Sequence, residues 1–287
     1  MESHAPIATL ILSCSDQKGL VARISQFIFI RQGNIIDLDE HVDKEDKMFF
    51  IRVEWETEEV NIPREQFEKE FQEFASEIKA QWEIKYSSEK AKLAIFVSKY
   101  DHCIQEIMWR HGSREIGADI ELIISNHTDL KHIADQYDIP FYHFPITKEN
   151  KLEQEEKELK LLTDYKIDSI VLARYMQILS PQFIKHYPNK IINIHHSFLP
   201  AFMGADPYKR AYERGVKIIG ATSHYVTEQL DEGPIIEQDV IRITHKDSIK
   251  DLIRKGKDLE RLVLARAIDL HINNRILKHG MKTIIFS

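Results

Sequence analysis

The sequence predicts an α/β protein of two domains, and three observations carry that reading. The first 86 residues alternate strand-like and helix-like runs in the order β-α-β-β-α-β. A short polar stretch, SSEKAK, then interrupts the apolar periodicity at 87–92. Beyond it, apolar strands are separated by helical segments, the pattern of a parallel sheet covered on both faces. The expected organisation is a domain at 1–86, a linker at 87–92 and a second domain at 93–287.

IATLILSC, at 7–14, is a short continuous apolar run and reads as a buried strand. GLVARISQFIFIRQG carries Leu20, Ile24, Phe27 and Ile28 at helical spacing, with Gly33 beyond its end. NIIDLDEHVD and KMFFIRVEWE are strand-like runs joined by the charged turn KED. In PREQFEKEFQEFASEIKA, Pro63 stands near a helix start, and Phe67, Phe71, Phe74 and Ile78 form one stripe. WEIKYS closes the unit as its last strand, which makes the first domain a ferredoxin-like split βαβ arrangement.

In the second domain KLAIFVS, DIELIIS, a short strand near Phe141, DSIVLAR and KIINIHH are the strands. EQEEKELKLL is a charged helix between them, its mixed charges reading as a solvated face. GVKIIGATSHYV and GPIIEQDVIRI, joined by a short connection, predict a hairpin appended to the sheet, and a long helix runs from about Ser248 to His279. The second domain is thus Rossmann-like: mostly parallel and doubly wound.

Composition narrows the function. Of 287 residues, 43% are hydrophobic and 30% charged, as in an ordinary globular protein. No apolar run approaches the roughly 18 residues of a membrane span. MESHAPIATL lacks a basic region followed by an apolar one, so the expected location is the cytoplasm. Cys14 and Cys103 form no CxxC pair and point to neither a disulfide framework nor a cysteine metal site. A net charge of −7 argues against binding a phosphate backbone, so neither nucleic acid nor membrane is an expected partner.

One stretch departs from the apolar pattern. NIHHSFLP, at 193–200, places an amide, two imidazoles and a hydroxyl straight after KIIN. A buried polar group without a partner costs roughly 1–3 kcal/mol, so the cluster marks where a strand stops and a site begins. In doubly wound sheets ligands bind outside the carboxyl ends of the strands. TEQLDEGP, between the hairpin strands, carries Asp231 beside Gly233. Asn193, His195 and Asp231 therefore come to one rim as an amide donor, an imidazole and an orienting carboxylate, the parts that stabilise an oxyanion. Each has an ordinary alternative: Asn193 and Asp231 as turn formers, His195 as a satisfied core residue. His196, adjacent in a strand-like stretch, is expected to point away from His195 and to act as support. His224 either lines the site or packs within its strand. His195, His224 and Asp231 also match a two-histidine, one-carboxylate ligand set for zinc or iron, without the spacing of a helix-borne HExxH.

NIHHSFLPAFMG followed by GATSHYVTEQLDEGPIIEQ resembles the signature of the folate-dependent formyltransferase superfamily, over residues 93–287. The resemblance implies Asn193, His195 and Asp231 as the catalytic set and 10-formyltetrahydrofolate as substrate, with no tightly bound cofactor and no metal. ARYMQILSP is similar to the family's pteridine-pocket loop, which implies that Met176, Ile178 and Leu179 wall the folate ring, with His224 beside it. Met176 and Leu179 have core packing as their ordinary alternative.

Glycinamide ribonucleotide transformylase, a member of that superfamily, holds its acceptor's phosphate on backbone N–H groups of a glycine- and serine-rich loop after the first strand. Here that place is taken by VSKYDHCIQEIMW, with no glycine between Ala94 and Arg110. With a formyl donor site and no phosphate cradle, the simplest acceptor is water. SKYDHC together with NIHHS, which has His196 where the transformylase has proline, resembles the formyltetrahydrofolate deformylases. That implies hydrolysis to formate and tetrahydrofolate, supplying one-carbon pools for purine synthesis. Transfer to an unrecognised acceptor, or a non-catalytic sensor of folate and an amino acid, are the alternatives.

DQKGLVARISQFI with GNIIDLDEHVD resembles an ACT domain, which implies a regulatory or oligomerisation role for 1–86 and a homo-oligomer, dimer or tetramer. An amino-acid effector, glycine or methionine, would sit by Gly19, where bare backbone and the helix N-terminus favour a carboxylate. Asp16 and Asn34 are the candidates for its amine. Gly19 as a simple turn and Asp16 as a helix cap are the structural alternatives.

Overall fold

The computed structural model describes residues 5–200 and 207–286; Ala201–Gly204 of the NIHHSFLPAFMG motif and the opening MESH lie outside them. The chain divides into two compact units. One comprises the residues up to Lys90 with Asn274–His279 and the last residues from Ile284; the other comprises Ala91–Asn273 and Gly280–Thr283.

The first unit contains β1 (Ile7–Ser15), α1 (Leu20–Phe29), β2 (Asn34–Asp43), β3 (Met48–Glu56), α2 (Arg64–Glu77) and β4 (Gln81–Tyr86). Its sheet runs in the order β2-β3-β1-β4, antiparallel throughout. Leu10, Leu12, Ile51 and Val53 are fully buried against Phe27 of α1 and Phe67 and Phe71 of α2. The Phe27 ring meets those of Phe67 and Phe71 edge-on at 5.4 and 5.1 Å. Burying such a side chain stabilises by roughly 1.5–3 kcal/mol. Gly33 follows α1 where a Cβ would lie 2.6 Å from Ile28 Cγ2, so only glycine lets the chain turn this tightly into β2.

The second unit contains β5 (Lys92–Val97), α3 (His102–Gly112), β6 (Asp119–Ser125), α4 (Lys131–Gln136), β7 (Phe141–His143), α5 (Lys151–Asp164), β8 (Ser169–Leu172), α6 (Pro181–His186), β9 (Ile191–His195), α7 (Pro207–Arg214), β10 (Ile218–Tyr225), β11 (Ile235–Arg242) and α8 (Ile249–Ile272). The seven strands run β11-β10-β9-β8-β5-β6-β7. β9 to β7 in that order are parallel, and the β10–β11 hairpin adds two antiparallel strands. The chain moves outward from β5 to β7, then returns to lay β8 on the other side of β5. That reversal opens a crevice at the carboxyl ends of β5 and β8.

Two expectations are corrected here. The final helix does not run to His279. α8 begins with a capping box between Ser248 and Asp251 and stops at Ile272, because Asn274 adopts a left-handed φ of 52° that no α-helix continues. The remainder forms a ribbon, β12 (Ile276–His279) and β13 (Lys282–Ile285). Asn274–His279 group with the first unit: Arg52 donates to the Asn274 carbonyl at 3.2 Å, and His279 stands 3.1 Å from Asp46.

The second correction concerns EQEEKELK. Glu155 and Glu158 are 3% and 0% exposed, on the stripe of α5 that also buries Leu162. Glu155 Oε1 accepts the Ser180 N–H at 3.0 Å, and Glu158 Oε1 accepts the Tyr175 hydroxyl at 3.5 Å. Both carboxyl groups thus anchor the loop between β8 and α6. Among the described residues no helix is long and apolar enough to cross a membrane.

Candidate active site

The site forms at the carboxyl end of β9, where the strand alternation puts Asn193 and His195 on one face. β10 runs antiparallel beside it, so Thr222 faces His195 and His224 faces Asn193. The connection from β10 to β11 folds back over this pair and delivers Asp231, in the left-handed region at φ 57°. Gly233 makes the return possible: a Cβ there would sit 1.7 Å from the Tyr225 carbonyl oxygen. The Tyr225 N–H closes the turn on the Pro234 carbonyl at 2.9 Å.

The distances define the donors. His195 Nδ1 lies 3.3 Å from Asp231 Oδ2, so Nδ1 carries the proton and Nε2 is the atom left for the site. His195 is 7% exposed, and its Nε2 is buried without a hydrogen-bond partner among the described residues. His224 Nδ1 donates to the Tyr225 carbonyl at 3.0 Å, which leaves Nε2 as the acceptor for Asn193 Nδ2 at 3.1 Å. The remaining Asn193 N–H is free to reach a substrate oxygen. His224 Nε2 also lies 3.7 Å from Asp231 Oδ1. Burial works against the Asp231 charge, but the His195 and His224 contacts outweigh it and hold the carboxyl well below the usual carboxylate range.

Behind this trio lies a second polar group that the sequence reading missed. Arg174, after β8, adopts φ 61° and donates from Nη1 to His196 Nδ1 at 2.8 Å. Its Nε stands 3.4 Å from Oε2 of Glu260, a carboxylate of α8 that is 2% exposed. Glu260 also meets His102 Nε2 at 2.9 Å and accepts the Tyr208 hydroxyl at 2.7 Å. Burial opposes its charge; the His102 hydrogen bond, the Arg174 cation and the Tyr208 hydroxyl more than offset that, and its carboxyl titrates below the ordinary value. A signal was present: Glu260 falls on the α8 stripe with Gly256, Val263, Leu264 and Ala267, where a charge must have partners.

His196 does not point away from His195. Its ring stacks on that of His195, centroids 5.0 Å apart and planes 28° apart. β9 ends at His195, so strand alternation no longer governs the next residue. Burial first, then the charges of Arg174 and His195, pull the His196 pKa down to about 4, which keeps the ring neutral.

The folate-loop candidates separate. Met176 and Ile178 are 53% and 60% exposed at the rim, while Leu179 packs into the core cluster with Leu172, Tyr175 and Phe183. The Met176 N–H donates to Ser98 Oγ at 2.9 Å, and that hydroxyl donates to Asn126 Oδ1 at 2.6 Å, tying the loop to the ends of β5 and β6. His224 sits behind Asn193, 2% exposed. In the first unit Asp16 and Gly19 are exposed at the turn into α1, where Gly19 at φ 86° occupies the cap position expected of Asp16. Asn34 begins β2 and donates to Glu56 at 2.8 Å.

Among the described residues, the group of metal-ligand types within mutual reach is His102, Cys103 and Glu260, whose ligand atoms lie within 4.8 Å of one another. The Arg174 guanidinium already occupies the cation position beside Glu260.

Comparison with known proteins gives the family. Residues 91–268 match the formyl transferase family model. The chain is 56% identical over 280 residues to the formyltetrahydrofolate deformylase of Synechocystis sp., covering 98% of each chain. It is similar to the crystal structure of a formyltetrahydrofolate deformylase from Pseudomonas syringae pv. tomato, with a TM-score of 0.97 at 41% identity, covering 100% of this chain and 96% of that one. A glycinamide ribonucleotide transformylase from Symbiobacterium toebii resembles it at a TM-score of 0.65 and 27% identity, over 69% of this chain and 95% of that one. With a likeness that runs the whole length of the deformylases and only part of this chain for the transformylase, the chain belongs to the formyltetrahydrofolate deformylase family.

Proposed function

We propose that the chain hydrolyses 10-formyltetrahydrofolate to formate and tetrahydrofolate, with water as the formyl acceptor. The observation that carries this is the His195–Asp231 contact of 3.3 Å beside Asn193, with His195 Nε2 buried and unpartnered. The formyl oxygen is held by the free Asn193 N–H and faces Nε2 of His195, whose orientation Asp231 fixes through Nδ1. Oxyanion donors of this kind are worth about 3 kcal/mol each. A carboxylate with so depressed a pKa is a weak base, so Asp231 orients the attacking water more than it deprotonates it. The water oxygen bonds to the formyl carbon, the C–N10 bond breaks, and N10 takes the proton that the water loses. Met176 and Ile178, exposed at the rim, and Leu179 behind them provide the apolar wall for the pteridine.

Incubating the protein with 10-formyltetrahydrofolate and no amine tests this directly: formate and tetrahydrofolate should accumulate in equal amounts. Their absence would sink the reading.

The substrate is released as product each turnover, so no tightly bound cofactor is required. The reaction supplies formate and balances one-carbon pools for purine synthesis in the cytoplasm. The first unit is an ACT-like module that binds glycine or methionine at Gly19, with Asp16 and Asn34 on the amine side, or that builds a dimer or tetramer. The exposed backbone of Gly19 at the start of α1 supports the carboxylate half of that site.

A further inference from the structure

We propose that Arg174, held by Glu260, is a specificity-determining residue: with its partners it fills the acceptor side of the site and restricts the nucleophile to water. This rests on the hydrolytic reading above and names the residues that enforce it.

The placement comes from four parts of the second unit. Tyr100 and His102 come from the segment after β5, the stretch that has no glycine to hold an acceptor's phosphate. Arg174 comes from the end of β8, its guanidinium carbon 5.1 Å from the Tyr100 ring centroid. His196 comes from the end of β9, and Glu260 from α8. The contacts form one chain: Glu260 to Arg174 at 3.4 Å, Arg174 to His196 at 2.8 Å, and His196 stacked on His195 at 5.0 Å. The side chain of Arg174 is 11% exposed, that of Glu260 2% and that of His102 9%, so the group is solid and not a lip of solvated charges.

The chemistry follows. Both Glu260 oxygens are engaged, Oε1 by Tyr208 and Oε2 by His102 and Arg174, so Glu260 has no free oxygen to accept a proton from an incoming amine. A guanidinium held against His196 and Tyr100 repels an ammonium and crowds the carbon attached to an amine nitrogen. Water needs neither. In hydrolysis the water oxygen bonds to the formyl carbon. If an amine entered, its nitrogen would form that bond instead, lose one proton, and leave a formamide and tetrahydrofolate while N10 took the proton.

The experiment is a product partition. Wild type, Arg174→Ala/Glu260→Gln and Tyr100→Gly are each incubated with 10-formyltetrahydrofolate and glycinamide, and formate and formylated amine are quantified. The double variant removes both charges together, so neither is left buried alone. Tyr100, 45% exposed, can be cut back without uncovering a charge. Wild type is expected to release formate only, at every amine concentration. Both variants are expected to raise the ratio of formylated amine to formate by at least about tenfold, the scale on which pocket size discriminates substrates. Arg174→Lys, which keeps charge and most of the bulk, should stay at the wild-type ratio. Formate from wild type with an unchanged ratio in Tyr100→Gly, or in a double variant that still melts cooperatively and turns over, overturns the proposal. So does formylation of the amine by wild type. Absence of formate from wild type would instead strike at the hydrolytic reading.

Discussion

His195 Nδ1 stands 3.3 Å from Asp231 Oδ2, across a turn that brings the carboxylate back from the far side of β10. This contact sets which imidazole nitrogen faces the substrate. Asp231→Asn keeps the shape but removes the charge, so turnover should fall by at least about 10²-fold while tetrahydrofolate still binds. Single-turnover formate release beside a tetrahydrofolate titration checks both halves; native turnover in the variant would refute the assignment.

Asn193 is aimed by His224 through a 3.1 Å hydrogen bond. Asn193→Ala should lower kcat by about 10²–10³-fold, the range for one oxyanion donor. His224→Leu should lower kcat by less, because the amide remains but loses its orientation. Steady-state kinetics on both variants give the ranking, and a larger loss at His224 would reverse the roles.

Glu158 offers a stability test. Burial first, and the Glu155 charge second, push its carboxyl up to about 8. An unfolded glutamate titrates near ~4.3, so the folded state holds the proton longer. Stability is then full below about pH 4 and declines as pH rises through 8, by an amount on the order of 5 kcal/mol. Glu158→Gln cannot ionise. Its melting temperature should exceed that of wild type at pH 8.5 and approach it near pH 4.5; parallel melting curves across that range would contradict the account.

His196 works in the opposite direction of pH. Its pKa, lowered to about 4 by burial and by Arg174 and His195, lies below the unfolded value of ~6.5. The stability it contributes is present above pH 6.5 and is lost as pH falls towards 4. His196→Asn, which keeps an acceptor for Arg174 but takes no charge, should flatten that acid limb in calorimetry.

Gly233→Ala should be severe although the change is one methyl group. The added carbon would sit 1.7 Å from a backbone oxygen, so the Asp231 turn must move. Loss of turnover is expected to exceed any loss of folding, read from kcat and the melting temperature together.

Much of the fold was legible because its signals are local. The phenylalanine stripe of α2, the apolar runs of β1, β5 and β9, and the turn chemistry before Pro234 are each contained within a few residues. That Asn193, His195 and Asp231 come together was legible for a second reason: a polar cluster at the end of an apolar run marks a strand end, and the paired motifs resembled a known signature. Glu155 and Glu158 misled because a run of mixed charges looks the same whether water or Ser180 and Tyr175 receives it.

What the sequence determined by itself is the order of elements and the chemistry available at the strand ends. What only the tertiary structure decided is which side chains meet: that Glu260 reaches Arg174 from 86 residues away, that His196 stacks on His195 instead of opposing it, and that the chain's end joins the first unit. The reason is range. Periodicity reports the neighbours along one helix or strand, whereas a buried charge is satisfied by groups that the sheet order brings from elsewhere in the chain.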